Sequence, residues 1–117
     1  MRSLLLVEDN NALREVFRLK LTDLGLTVHE AADGWQAIQH ARLGCCQLVL
    51  MDIILPNISG LAAAKAICEN DSEQVVVLMT AGDATRKEAL AAGASDLYVK
   101  PVLSKDLEEI LSKYLPE

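Results

Sequence analysis

Gln47-Leu48-Val49-Leu50-Met51-Asp52-Ile53-Ile54-Leu55-Pro56-Asn57-Ile58-Ser59-Gly60 runs an apolar segment straight into one carboxylate and then breaks. Residues 48–51 form an uninterrupted apolar run containing Val49. They read as a strand buried on both faces, the kind a parallel sheet covered by helices requires. Asp52 stands at the carboxyl end of that strand. Pro56 cannot donate to a ladder and Gly60 relaxes the backbone, so the residues after Asp52 read as a loop closing into the next helix. In open α/β sheets the crevice beyond the strand ends is where ligands bind. A lone Asp at a strand end is still more often a turn former or helix cap, so its meaning depends on what neighbouring segments bring.

Upstream, Ser3-Leu4-Leu5-Leu6-Val7 repeats the pattern, a short apolar run that ends in Glu8-Asp9. Asn10 or Asn11 can cap the helix that follows. Its Leu13, Val16, Phe17, Leu21 and Leu24 recur at helical spacing until Gly25 stops it. Leu26 to Ala31 alternates apolar and polar residues, as an edge strand does. Asp33-Gly34 then opens a helix carrying Trp35, Ala37, Ile38 and Ala41 and ending near Gly44.

Downstream, Ser59 or Gly60 opens a third helix with Leu61, Ala64, Ile67 and Cys68 on one stripe, and Ala62, Ala63 and Ala64 let it lie close to the sheet. Val75 to Met79 is the most β-prone segment and ends in Thr80-Ala81-Gly82. Residues 84–92 read as an alanine-rich helix stopped by Gly93. Leu97-Tyr98-Val99 reads as a last strand ending in Lys100-Pro101. A final helix begins at Ser104, with Leu107, Ile110, Leu111, Tyr114 and Leu115 on its apolar stripe.

Five strands thus alternate with five helices, without repeats or linkers. Right-handed crossovers turn that order into a doubly wound parallel sheet, an α/β fold. A flavodoxin-like (βα)5 order, 2-1-3-4-5, would set strand 1 beside strand 3 and bring Glu8, Asp9 and Asp52 to one switch point.

The chain's 117 residues, 51% hydrophobic, suit a single domain over residues 1–117. A net charge of -6 argues against the phosphate backbone of a nucleic acid or an anionic membrane as direct partner. No apolar run approaches the ~20 residues that cross a bilayer, and Met1-Arg2-Ser3-Leu4 leads into strand-like sequence with no signal-type cleavage site. A cytoplasmic protein is expected. Cys45, Cys46 and Cys68 make no CxxC or Cys/His spacing and read as small packing residues in a reducing compartment. His29 and His40 lack ligand partners at metal spacing.

Three carboxylates in one crevice repel, by roughly 4 kcal/mol for a pair 4 Å apart at an effective dielectric near 20. Lys100 can supply one compensating charge, and a divalent cation bound through oxygens, with Mg²⁺ favoured, can supply the rest. An acid pair, an isolated acid, a hydroxyl and a lysine, all at strand ends, suit phosphoryl transfer with a carboxylate as nucleophile.

These pieces, Leu6-Val7-Glu8-Asp9-Asn10, Leu50-Met51-Asp52-Ile53-Ile54-Leu55-Pro56 through Gly60, Met79-Thr80-Ala81, Ala92-Gly93-Ala94 and Val99-Lys100-Pro101, stand in one order over essentially the whole chain. The chain resembles a receiver domain of two-component response regulators. That resemblance implies that Asp52 is the phospho-acceptor for a histidine kinase or phosphotransfer protein. It further implies that Glu8, Asp9, Asp52 and the Ile54 backbone carbonyl hold Mg²⁺, that Thr80 and Lys100 bind the phosphoryl oxygens, and that Pro101 follows a cis peptide. It makes the chain a switch that catalyses only its own phosphorylation and dephosphorylation. The conformational change would act on a downstream effector, through the surface of helix 4, strand 5 and helix 5 or through a phosphorylation-dependent homodimer.

The chain departs from the family at Leu97, where many members carry an aromatic residue; Tyr98 comes one position later and alternation sends it to the opposite face. Thr80 to Gly93 looks shorter than usual, which would trim the fourth helix or the loop before it. Val102 replaces a frequent Phe. Two other readings stand beside the switch. A degenerate receiver would act as a phosphorylation-independent scaffold. An aspartyl phosphatase would commonly need a second acid two residues after the nucleophile, where Ile54 stands.

Overall fold

The computed structural model describes residues 2–44, 46–82 and 84–117, so the reading of Cys45 as a packing residue lies outside the described residues. The chain alternates β1 (Ser3–Val7), α1 (Asn11–Asp23), β2 (Thr27–Ala31), α2 (Gly34–Arg42), β3 (Leu48–Asp52), α3 (Gly60–Asn70), β4 (Val75–Thr80), α4 (Arg86–Ala91), β5 (Asp96–Val99) and α5 (Ser104–Tyr114). The strands form one parallel sheet in the order β2-β1-β3-β4-β5. This is the flavodoxin-like (βα)5 arrangement expected from the alternating pattern.

Strand alternation explains the two layers of helices. Leu5, Val7, Val49, Met51, Val76 and Leu78 face Ala37 and Ile38 of α2, Ala63, Ala64 and Ile67 of α3, and Ala89 of α4. Their sequence neighbours Leu4, Leu6, Leu48, Leu50, Val77 and Met79 face Phe17 and Leu21 of α1 and Leu107, Ile110 and Leu111 of α5. Every residue of β3 is buried, as its unbroken apolar run requires. Fully burying one such Leu or Val contributes about 1.5–3 kcal/mol. β2, at the edge, is buried only at Ala31.

The helix starts follow side-chain caps. Asn10, rather than Asn11, caps α1, its Oδ1 accepting from the Leu13 amide at 2.9 Å. Asp33 caps α2 and Ser59 caps α3 in the same way. α4 is shorter than the stretch 84–92 that its composition suggests. Thr85 is its cap and Glu88 reaches back to complete a capping box, so the helix cannot begin before Arg86. α1 also differs in detail, because Leu24 lies past the helix end and Val16 is largely exposed. The Lys100–Pro101 peptide is cis, as the resemblance implied. No helix among the described residues is long and apolar enough to cross a membrane.

Candidate functional site

The ends of β1, β3, β4 and β5 meet at the carboxyl edge of the sheet, and each contributes one part of the site. Glu8 continues β1 by one rung, its amide donating to the Ala31 carbonyl of β2 at 3.1 Å. The chain then turns away, leaving Glu8 buried and Asp9 exposed. Asp52 is the last residue of β3, opposite Met79 of β4, and is 4% exposed. One carboxylate oxygen from each of Glu8, Asp9 and Asp52 lies within 4.8 Å of the others. The order 2-1-3-4-5 produces this cluster, because only adjacency of β1 and β3 brings the two strand ends together.

Lys100 closes the cluster from the other side. Its amide donates to the Thr80 carbonyl at 2.7 Å, which extends the β4–β5 ladder past Val99. Its ammonium donates to Asp52 Oδ2 and lies 3.5 Å from Glu8 Oε1. Burial works against the ammonium, but the hydrogen bond and charge of Asp52, with those of Glu8, outweigh it and push the Lys100 pKa up. For Glu8, burial dominates and the Asp52 charge adds to it. The carboxyl is therefore raised despite the Asn10 amide, 3.2 Å from Oε2, and the charge of Lys100.

The remaining predicted residues fall as follows. Thr80 ends β4 one position beyond Asp52's partner, is fully buried, and its Oγ1 accepts from the Gly82 amide at 3.1 Å. The Ile54 amide donates to Asp52 Oδ1 at 3.1 Å, while its side chain is exposed. Gly60 makes the loop after Asp52 possible. Its amide donates to the Ile53 carbonyl at 2.7 Å, and a Cβ there would meet the Asp52 carbonyl oxygen at 2.2 Å. The backbone at the end of β3 thereby lies directly against the start of α3.

Two features escape a reading by strand ends alone. Arg14 reaches from α1 to the Glu8 carbonyl, with Nη1 at 2.7 Å. The available signal was its position, a cation in the fourth residue of a helix whose positive dipole end disfavours it. Asp96, at the start of β5, is 3% exposed and binds Arg86 of α4 and Tyr114 of α5. Tyr98 and Leu97 lie on opposite faces, as alternation requires: Leu97 packs with the α2–α3 side and Tyr98 with the α1–α5 side. The Tyr98 hydroxyl donates to Glu109 at 2.5 Å.

A buried carboxylate pair, a third exposed acid and a paired lysine form a hard-oxygen donor set suited to a small divalent cation. The acids are close enough to share one ion, and among the described residues the two buried ones share a single ion-pair partner, Lys100.

Residues 4–112 match the response regulator receiver domain family. The chain is 37% identical over 113 residues to "Transcription factor SKN7" of Candida albicans, covering 95% of this chain and 20% of that protein. The chain spans half or less of the length of such curated relatives. Among solved structures, the response regulator protein TrrA of Thermotoga maritima, in complex with Mg²⁺ and BeF, superposes with a TM-score of 0.90. The two are 30% identical, with 98% of this chain and 100% of that one covered. The receiver domain of Saccharomyces cerevisiae Ssk1, in a co-crystal with the histidine phosphotransfer signaling protein Ypd1, gives 0.91 at 25% identity, covering 97% and 88%.

Proposed function

The chain belongs to the response regulator receiver domain family, and from that premise we propose that Asp52 is its phospho-acceptor. A receiver domain of two-component response regulators is a signalling switch, and the arrangement around Asp52 supports a working one. The observation that carries the proposal is the Glu8–Asp9–Asp52 cluster with Lys100 bound to two of its members.

Glu8, Asp9 and Asp52 would hold Mg²⁺, with the Ile54 carbonyl as a further ligand. When bound, Mg²⁺ supplies positive charge for the transferring phosphoryl oxygens. An Asp52 carboxylate oxygen attacks the phosphorus of a phosphohistidine on a histidine kinase or phosphotransfer protein. The P–N bond breaks, the electron pair leaves with the imidazole, and an acyl phosphate forms on Asp52. Lys100, released from Asp52, follows the charge onto the phosphoryl oxygens, and the Thr80 hydroxyl turns to them from the end of β4. Water later cleaves the same acyl phosphate, so the chain's chemistry is confined to its own modification. No acid stands two residues after Asp52 to serve another substrate.

Residues 1–117 would act as one receiver domain. The phosphotransfer protein seated on the Ssk1 receiver and the regulatory relatives longer than this chain support both an upstream phosphodonor and a downstream effector. Homodimerisation on phosphorylation is a further outcome of the same switch. Cysteines used as small packing residues, as Cys46 is in the core on the α2–α3 side of the sheet, suit a cytoplasmic location.

The test is the addition of beryllofluoride or a small phosphodonor with Mg²⁺. Wild-type protein is expected to show a saturable NMR response to the first, and the mass of one phosphoryl group from the second; Asp52→Asn should show neither. An unmodified wild type under both treatments overturns the proposal.

A further inference from the structure

Arg14 ties together three segments that surround the acidic cluster without joining it. Its Nη1 donates to the Glu8 carbonyl at 2.7 Å, its Nε to Glu30 Oε1 of β2 at 3.2 Å, and its Nη2 to Asn11 Oδ1 in the first turn of α1 at 2.8 Å. The side chain is 19% exposed. None of its described hydrogen bonds goes to the carboxylates of Glu8, Asp9 or Asp52.

The Glu8 carbonyl belongs to the peptide that joins the buried acid to the exposed one. On one side the Glu8 amide is held by the Ala31 carbonyl, and on the other the Asn10 amide is held by the Glu8 carboxylate. A guanidinium on the oxygen between them fixes the plane of the Glu8–Asp9 peptide, and hence the direction in which Asp9 leaves the sheet. The planar fork is suited to this because its donors meet three acceptors at once. Glu30 balances the charge of Arg14, so the clamp places little net positive field beside a site that must attract a cation.

We infer that Arg14, braced by Glu30, is a positioning residue for the Mg²⁺ site, holding the Glu8–Asp9 peptide so that both acids face Asp52. This rests on the proposed Mg²⁺-dependent function and names a residue that acts on the ligands from behind.

Charge and geometry must be separated in the test. Removing Arg14 alone would also remove a cation and strengthen the attraction for Mg²⁺. Arg14→Met combined with Glu30→Gln deletes the pair with no change in net charge, so any loss of affinity reports geometry. In an NMR titration of the purified chain with MgCl₂, the wild type is expected to bind and the double variant to bind about tenfold more weakly, the lower end of losses seen for groups that orient metal ligands. Arg14→Lys keeps the charge and much of the stem but loses the fork. It is expected to bind Mg²⁺ several-fold more weakly, and it serves as the decisive variant if the double substitution does not fold. Wild-type affinity in a folded double variant or in Arg14→Lys overturns the role of Arg14. Absence of Mg²⁺ binding by the wild type would overturn the proposed function itself.

Discussion

Gly60 approaches Asp52 so closely that a Cβ would lie 2.2 Å from the Asp52 carbonyl oxygen and 2.7 Å from the Ile53 Cα. Both are backbone atoms, so no side chain can swing aside to make room. The Gly60 amide also donates to the Ile53 carbonyl at 2.7 Å, binding the start of α3 to the end of β3. Gly60→Ala must therefore move either the helix or the strand end that carries Asp52. The expected loss is about 1–3 kcal/mol from overpacking, read by urea unfolding, together with weakened beryllofluoride binding. An alanine variant as stable as wild type would show that the loop has slack the contacts do not suggest.

Lys100 offers the cluster its own cation, so it is expected to stabilise the metal-free protein and to compete with the Mg²⁺ proposed for the same acids. Replacing it with Met leaves Asp52 and Glu8 buried without that partner. Loss of one partner of a buried polar pair costs about 1–3 kcal/mol, and this should appear as a lower Tm in EDTA. Added Mg²⁺ should then raise the Tm of Lys100→Met by more than it raises that of wild type, because ligand that binds only the folded state restores stability. Equal Mg²⁺-induced shifts in the two proteins would argue that lysine and metal do not share the site. Phosphorylation of Asp52 should be slowed in the variant even when Mg²⁺ is saturating.

The segments that were readable from sequence are those where one physical demand dominates. Leu48–Met51 must be buried on both faces whatever surrounds it, and Glu8, Asp9, Thr80 and Lys100 each follow an apolar run, so alternation of strands and helices was enough to bring them to one edge. What was not readable depends on partners distant in sequence. Arg14 matters through Glu8 and Glu30, and its unfavourable place in the first turn of α1 marks it as unusual without naming either partner. Gly60 reads only as a backbone break where the loop closes into the next helix, until the Asp52 carbonyl is found where its Cβ would lie. Residues 84 and 85 read as helix from the alanine-rich composition that follows them, while the Thr85 cap holds the start of α4 at Arg86. Val16 has helical spacing but lies at the margin of the α1 stripe, where the sheet no longer covers it.

Asp96 should make the stability depend on acid pH. Burial alone would raise its carboxyl, but the Tyr114 hydroxyl at 2.8 Å, the Leu97 amide at 2.9 Å and Arg86 at 2.7 Å outweigh it and hold the pKa below the ordinary value. Lys113 lies 3.9 Å away and adds to the positive surroundings. A carboxyl depressed in the folded state contributes its full stability above the unfolded pKa of about 3.9 and loses it as pH falls through the folded value. Asp96→Asn should cost about 1–3 kcal/mol at neutral pH, and the gap between variant and wild type should close at the acid end. Urea titrations across that range give the difference directly; a gap independent of pH would mean that Asp96 contributes through shape and not through charge.

The two tyrosines make a corresponding prediction at alkaline pH, and since the chain has only Tyr98 and Tyr114 the measurement is unambiguous. For Tyr98, burial and the hydrogen bond to Glu109 raise the phenol well above its usual range, with the charge of Asp96 adding to them. For Tyr114, burial and the hydrogen bond to Asp96 act in the same direction, against the charge of Arg86. A phenol raised by folding contributes stability that is whole below the unfolded pKa, about 10, and is lost as pH climbs toward the folded value. Absorbance near 295 nm should therefore stay flat through pH 10 in the native protein and rise at higher pH, in step with loss of circular dichroism. The guanidinium-denatured chain should titrate near the ordinary value. Tyr98→Phe should keep a delayed, smaller rise from Tyr114 and lose stability because Glu109 no longer has its phenol donor. A native protein that gains phenolate absorbance at pH 10 while still folded would show that the β5–α5 hydrogen bonds are too weak in solution to hold these protons.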